Sequence, residues 1–111
     1  MSIAIRLLAG AACGLSVTAA AAAERTVEVA VERGKPIGGA QAVRVVRHDE
    51  VVLTVRSDRD DELHLHGYDL HLHLKSGKPG TLRFVARRTG RFSAELHQSG
   101  VEVVVFEIYP K

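Results

Sequence analysis

The chain has 111 residues, with fifteen Lys and Arg, thirteen Asp and Glu and six His, a formal charge of +2 at neutral pH. The two signs are interspersed without a basic stripe and aromatic residues make up only 5%, a composition that speaks against a nucleic-acid-binding surface. Cys13 and Met1 are the only sulfur-bearing residues, which limits both disulfide and sulfur-ligand chemistry.

Residues 1–23 differ in composition from everything that follows. Arg6 supplies one positive charge, Leu7 to Val17 are apolar and small, and Thr18 to Ala23 end in an alanine run. This order reads as a secretory signal peptide cleaved near Ala23, leaving a mature module of residues 24–111 in the periplasm or outside the cell. The apolar stretch is short for a membrane span, which needs about 20 apolar residues, and nothing later in the mature chain could cross a bilayer. A lipoprotein signal would need an aliphatic residue three positions before Cys13; Gly10 stands there and argues against lipidation. The mature chain therefore has neither thiol nor thioether, and its length suits one domain.

From Glu24 onward the apolar period is close to two, and no window carries a helical stripe. Val27, Val29 and Val31 predict a first strand, broken by Gly34 to Gly39. Further strands are expected near Ala42–Arg47 and over Val51–Arg56, where Val51, Leu53 and Val55 face inward, before the polar loop Ser57–Asp61. Leu63–His66 begins an extended piece that bends at Gly67 and continues from Tyr68 to Leu74. Lys78-Pro79-Gly80 turns the chain into Thr81–Arg87, and Thr89-Gly90 turns it into Arg91–Leu96 with Phe92, Ala94 and Leu96 inward. Val101–Tyr109 is apolar on both parities, as in a central strand covered on two sides or one carrying a bulge. Seven to eight short strands between Gly, Pro and Asp turns predict an all-β fold, an antiparallel β-sandwich or small barrel.

Four of the six histidines fall within His64–His73. A strand sends residues i and i+2 to one face, so His64 and His66 form one pair and His71 and His73 another. If the chain passes Gly67 without slipping, His64 and His66 share the inward parity of Tyr68, Leu70, Leu72 and Leu74, while His71 and His73 face solvent. His97 is the candidate third ligand: alternation points it outward, but it ends its strand, where alternation often fails. Imidazoles at such spacing suit copper or zinc. They equally suit a polar strand face hydrogen-bonded to Asp61, Glu62 or backbone. His48, beside Asp49 and Glu50, reads as a surface residue.

The run Val51–Arg56, the Asp-rich loop, Asp61-Glu62-Leu63-His64-Leu65-His66-Gly67-Tyr68, the segment Thr89–His97 and the valine-rich last strand together resemble a bacterial cupredoxin-like domain over residues 45–109. The resemblance implies a Greek-key β-sandwich in which an upstream histidine, in a position similar to His64 or His66, joins ligands from the loop before the last strand. It also implies a cysteine ligand where this chain has Leu96, in a loop here reduced to Gln98-Ser99-Gly100. Blue-copper electron transfer requires that thiolate, usually with a weak axial thioether, so this activity is not expected.

The expected function is a metal-binding module that holds Cu(II), with zinc second, through a histidine-only site of His64, His66 and His97, for storage, sensing or delivery. The alternative is a metal-free degenerate domain that presents its surface to a periplasmic protein partner. An enzyme is not expected, because the mature chain has no Ser-His-Asp or Cys-His set in a recognisable setting.

Overall fold

Strict alternation from Glu24 onward forms β1 (Glu24–Glu32), with Val27, Val29 and Val31 buried and the residues between them exposed. The computed structural model describes residues 22–111 together with Gly14. The expected signal segment 1–23, with Cys13, lies outside the described residues apart from Gly14, Ala22 and Ala23. The two-residue β2 (Lys35–Pro36) pairs back on β1 within the Gly-rich break, and β3 (Gln41–Val46) follows. Next come β4 (Glu50–Ser57), β5 (Asp61–Leu65), β6 (Leu70–Leu74), β7 (Pro79–Val85), β8 (Gly90–Leu96) and β9 (Glu102–Tyr109). Among the described residues there is no helix long and apolar enough to cross a membrane.

The strands form two sheets, ordered β2-β1-β4-β7 and β3-β9-β8-β5-β6, which makes the expected sandwich. Two of the pairings are parallel, β1 with β4 and β3 with β9, so each sheet is mixed. The cause is connectivity: the chain leaves the first sheet to lay down β3 in the second, then returns, so β4 comes back beside β1 in the same direction. Val51, Leu53 and Val55 of β4, Leu82 and Phe84 of β7, and Ala94 and Leu96 of β8 are all buried between the sheets. β9 lies inside its sheet, and Val103, Val104, Val105 and Phe106 are at most 2% exposed, which explains its apolar character on both parities. A register shift opposite Ala94 and Glu95 places the extra residue there.

The start of β5 is anchored by a buried carboxylate. Asp61 Oδ1 accepts the backbone N–H of Glu62 at 2.7 Å and that of Gln98, in the turn after β8, at 3.1 Å. Replacing Asp61 with Ala leaves two donors without this acceptor and is expected to cost about 1 to 3 kcal/mol. Urea melts of both proteins, with slopes compared, check this.

Candidate metal centre

The β5–β6 hairpin decides where the histidines point. Leu65 pairs with Leu70, so His66-Gly67-Tyr68-Asp69 is the loop, and residues facing each other across it have numbers of opposite parity. Leu63 and Leu65 on β5 therefore join Leu70, Leu72 and Leu74 on the core side, with Leu63 and Leu65 fully buried. His64 is only half-buried and His66 is exposed; both stand on the outer face with His71 and His73. The expectation of an inward His64/His66 pair is thus corrected: the chain does not run straight through Gly67 but reverses in a loop of four residues, and a loop of even length exchanges the parities.

Register then gathers the remaining groups. His64 lies opposite His71 on one side and Glu95 of β8 on the other. The N–H of His66 donates to Ser93 O at 2.9 Å and that of His97 to Glu62 O at 2.8 Å, which extends the β5–β8 ladder at both ends. By that register His97 stands across from Glu62, which also faces His73 on β6. Five of the six histidines consequently share one outer sheet face with Glu62 and Glu95, while His48 sits exposed in the turn before β4.

Distances pick out a centre within this face. The rings of His64 and His71 stack with centroids 4.3 Å apart and 5° between planes, and the His66 ring is 4.2 Å from that of His64 at 58°. His64 Nε2 and His71 Nε2 lie 3.9 and 3.7 Å from Asp69 Oδ1. One ligand atom from each of His64, Asp69 and His71 lies within 4.8 Å of the others. Donors about 2.0 to 2.1 Å from a tetrahedral ion are about 3.4 Å apart, so the two imidazole-to-Asp69 separations need to close by only about half an ångström for a shared ion. Asp69 is 95% exposed and has the freedom to do so.

The sequence-predicted ligands are distributed differently. His64 belongs to the converging set. His66 Nε2 lies 3.3 Å from Glu95 Oε2, beside an open cleft of 420 Å³ shared with Gly67, Arg91, Phe92 and Ser93. His97 is exposed on the same face, outside the converging group. Asp69 and His71 were not among the expected ligands.

The loop that carries Asp69 is held from beneath. Gly67 has φ +85° and Asp69 φ +52°, and a short polar side chain at the second position tolerates that left-handed backbone. Tyr68 packs edge-on against Phe92 at 4.9 Å and against Phe84 at 5.0 Å, which in turn meets Phe106 at 5.3 Å. Its hydroxyl accepts from Arg88 N at 3.0 Å and donates to Arg88 O at 3.1 Å. An aromatic column thus ties the loop that carries Asp69 to the core. Two imidazoles and a carboxylate, with no sulfur donor, form a set suited to Cu(II) or Zn(II) rather than Cu(I).

No protein-family model matches the chain, and no curated protein matches it in sequence. Solved structures do match in shape. A blue copper oxidase from Nitrosomonas europaea is 15% identical with a TM-score of 0.64, over 79% of this chain and 39% of that one. A copper binding protein in its apo form is 13% identical with a TM-score of 0.62, over 78% and 88% of the two chains. A heme-copper terminal oxidase dimer is 16% identical with a TM-score of 0.57, over 78% and 65%. This chain spans less than two thirds of either oxidase chain. At these identities the likeness concerns architecture, and with the two-sheet topology it establishes the fold of this chain as cupredoxin-like.

Proposed function

We propose that this domain is an exported, non-enzymatic metal-binding module that takes up Cu(II), with zinc second, on the outer face of the β5–β6 hairpin. The observation that carries the reading is the convergence of His64, His71 and Asp69, joined to a fold shared with a copper binding protein and a blue copper oxidase. The site lies on a sheet face rather than in an enclosed cavity, and Asp69 and His71 are 95% and 47% exposed. Such a surface leaves coordination positions open to water or to an incoming ligand, which suits storage or handover of the ion.

The test is titration of the mature domain with Cu(II) at neutral pH, read by electron paramagnetic resonance. The expected spectrum shows hyperfine coupling to imidazole nitrogen at one equivalent; a spectrum of the aqueous ion alone would overturn the proposal. Because a ligating nitrogen must be free of its proton, protons compete with the metal, and affinity is expected to fall as the medium is taken from about pH 7.5 to about pH 5.5. A competition titration against a chelator of known affinity at both pH values measures that fall.

A metal-free scaffold that binds a periplasmic protein is the second reading. Its support is that His64, His66, His71 and His73 each already have a carboxylate oxygen within 4 Å, so the face is compensated without an ion. Thermal unfolding separates the two. An ion bound only by the folded chain stabilises it by about 2.7 kcal/mol at a free concentration 100-fold above Kd, whereas a scaffold melts at the same temperature with and without copper.

A further inference from the structure

Glu62 stands at the middle of the histidine face. It is the cross-strand partner of His73 on β6, and its backbone carbonyl accepts the N–H of His97 from β8. Its side chain does something more specific: Oε1 lies 2.7 Å from His71 Nδ1, while Oε2 is 3.9 Å from His73 Nδ1. The shorter distance is a charge-assisted hydrogen bond. An ionised carboxylate can only accept, so the proton between them must sit on Nδ1 of the imidazole. In the neutral ring that leaves Nε2 with its lone pair free. Nε2 is the atom that faces Asp69 Oδ1 at 3.7 Å, next to the stacked ring of His64.

We infer that Glu62 is a positioning residue that holds His71 as its Nδ1–H tautomer and so leaves the lone pair of Nε2 free on the side of Asp69, beside the stacked ring of His64. The inference rests on the metal-binding reading for its purpose, but the tautomer itself exists without any ion. In free histidine the proton prefers Nε2, which would block the donor atom on the side where the other two ligands lie. The carboxylate reverses that preference, fixes the ring plane, and makes Nε2 a stronger donor, as carboxylates behind ligating imidazoles do. Glu62 is 34% exposed and His71 47%, so the bond is partly shielded from water and the ring has limited freedom to flip. His64 and His66 have no equivalent: their nearest carboxylate oxygens, on Asp69 and Glu95, approach Nε2. The geometry therefore marks His71 as the oriented ligand of the set.

Long-range nitrogen–proton correlation spectra of the metal-free domain, above the pH at which its imidazoles protonate, read the tautomer of His71 directly. The wild type is expected to carry the proton on Nδ1, Glu62→Ala to shift His71 toward the Nε2–H form, and Glu62→Gln to retain Nδ1–H, because its amide oxygen can still accept. Cu(II) affinity is expected to fall about tenfold or more in Glu62→Ala and less in Glu62→Gln. An Nε2–H tautomer in the wild type, or a tautomer that Glu62→Ala leaves unchanged, overturns the inference, as does a measurable copper affinity that is equal in wild type and Glu62→Ala. If the wild type shows the Nδ1–H form under control of Glu62 yet binds no copper, the positioning role stands and the metal-binding proposal alone falls.

Discussion

Alanine at both His64 and His71 is expected to lower Cu(II) affinity by at least about 100-fold, about 2.7 kcal/mol, and to remove the imidazole coupling from the resonance spectrum. The double substitution takes both nitrogen donors from the converging set and leaves Asp69, an exposed carboxylate that holds a late first-row ion weakly by itself. Both side chains lie on the outer sheet face, opposite the buried Leu63 and Leu65, so the sandwich should survive the change with its circular dichroism intact. The matched control is His73→Ala with His97→Ala. It removes the same number of imidazoles from the same face but none from the converging group, and should leave affinity within about threefold, less than 1 kcal/mol. Isothermal titration of the three proteins decides the matter. If the control loses binding while the His64/His71 variant keeps it, the ion sits at the other end of the face and the proposed ligand set is wrong.

Gly67→Ala is expected to destabilise the domain by about 2 to 4 kcal/mol, from the joint cost of left-handed backbone and overpacking. At φ +85° a Cβ costs about 1 to 2 kcal/mol by itself. Here the added atom would also press against the edge of the Phe92 ring, 2.7 Å from Cε1. That ring cannot simply move aside, since it is one link in the contact of Tyr68 with Phe92 and Phe84. Gly77→Ala supplies the comparison: φ is +74° but nothing lies within 4 Å of its Cβ position, so only the backbone cost remains. The thermal midpoint should drop by about 10 °C or more for Gly67→Ala and clearly less for Gly77→Ala, at about 4 to 8 °C per kcal/mol in a domain of this size. Equal midpoints would show that the Phe92 contact carries no weight. Gly67→Ala should also weaken copper binding, because the loop it deforms carries Asp69.

The class of fold was legible because its signal is local. Val27, Val29 and Val31, then Val51, Leu53 and Val55, then Leu82 and Phe84 repeat every second residue, and each set is buried as that period requires. The last strand could be recognised as interior or bulged, and it is both: β9 is flanked by β3 and β8, and a register shift opposite Ala94 and Glu95 interrupts its alternation. The absence of a cysteine at Leu96 was equally plain, and with it the expectation that blue-copper chemistry is not built here.

What the sequence also held, and what an unbroken parity count across Gly67 concealed, is a change of phase among the leucines. Leu63 and Leu65 are odd, whereas Leu70, Leu72 and Leu74 are even, as required of a hairpin with a four-residue loop whose two strands bury the same face. Gly67 alone could not distinguish a bend from a reversal, because positive φ serves both. Composition and periodicity by themselves determined a small all-β module with histidines on a strand face and no sulfur donors from residue 24 onward. Which histidines meet was decided only by tertiary structure. Pairing across β6, β5 and β8 is a long-range relation set by strand register, and register alone brings Asp69 and His71 to His64 while leaving His97 at the far end of the same face.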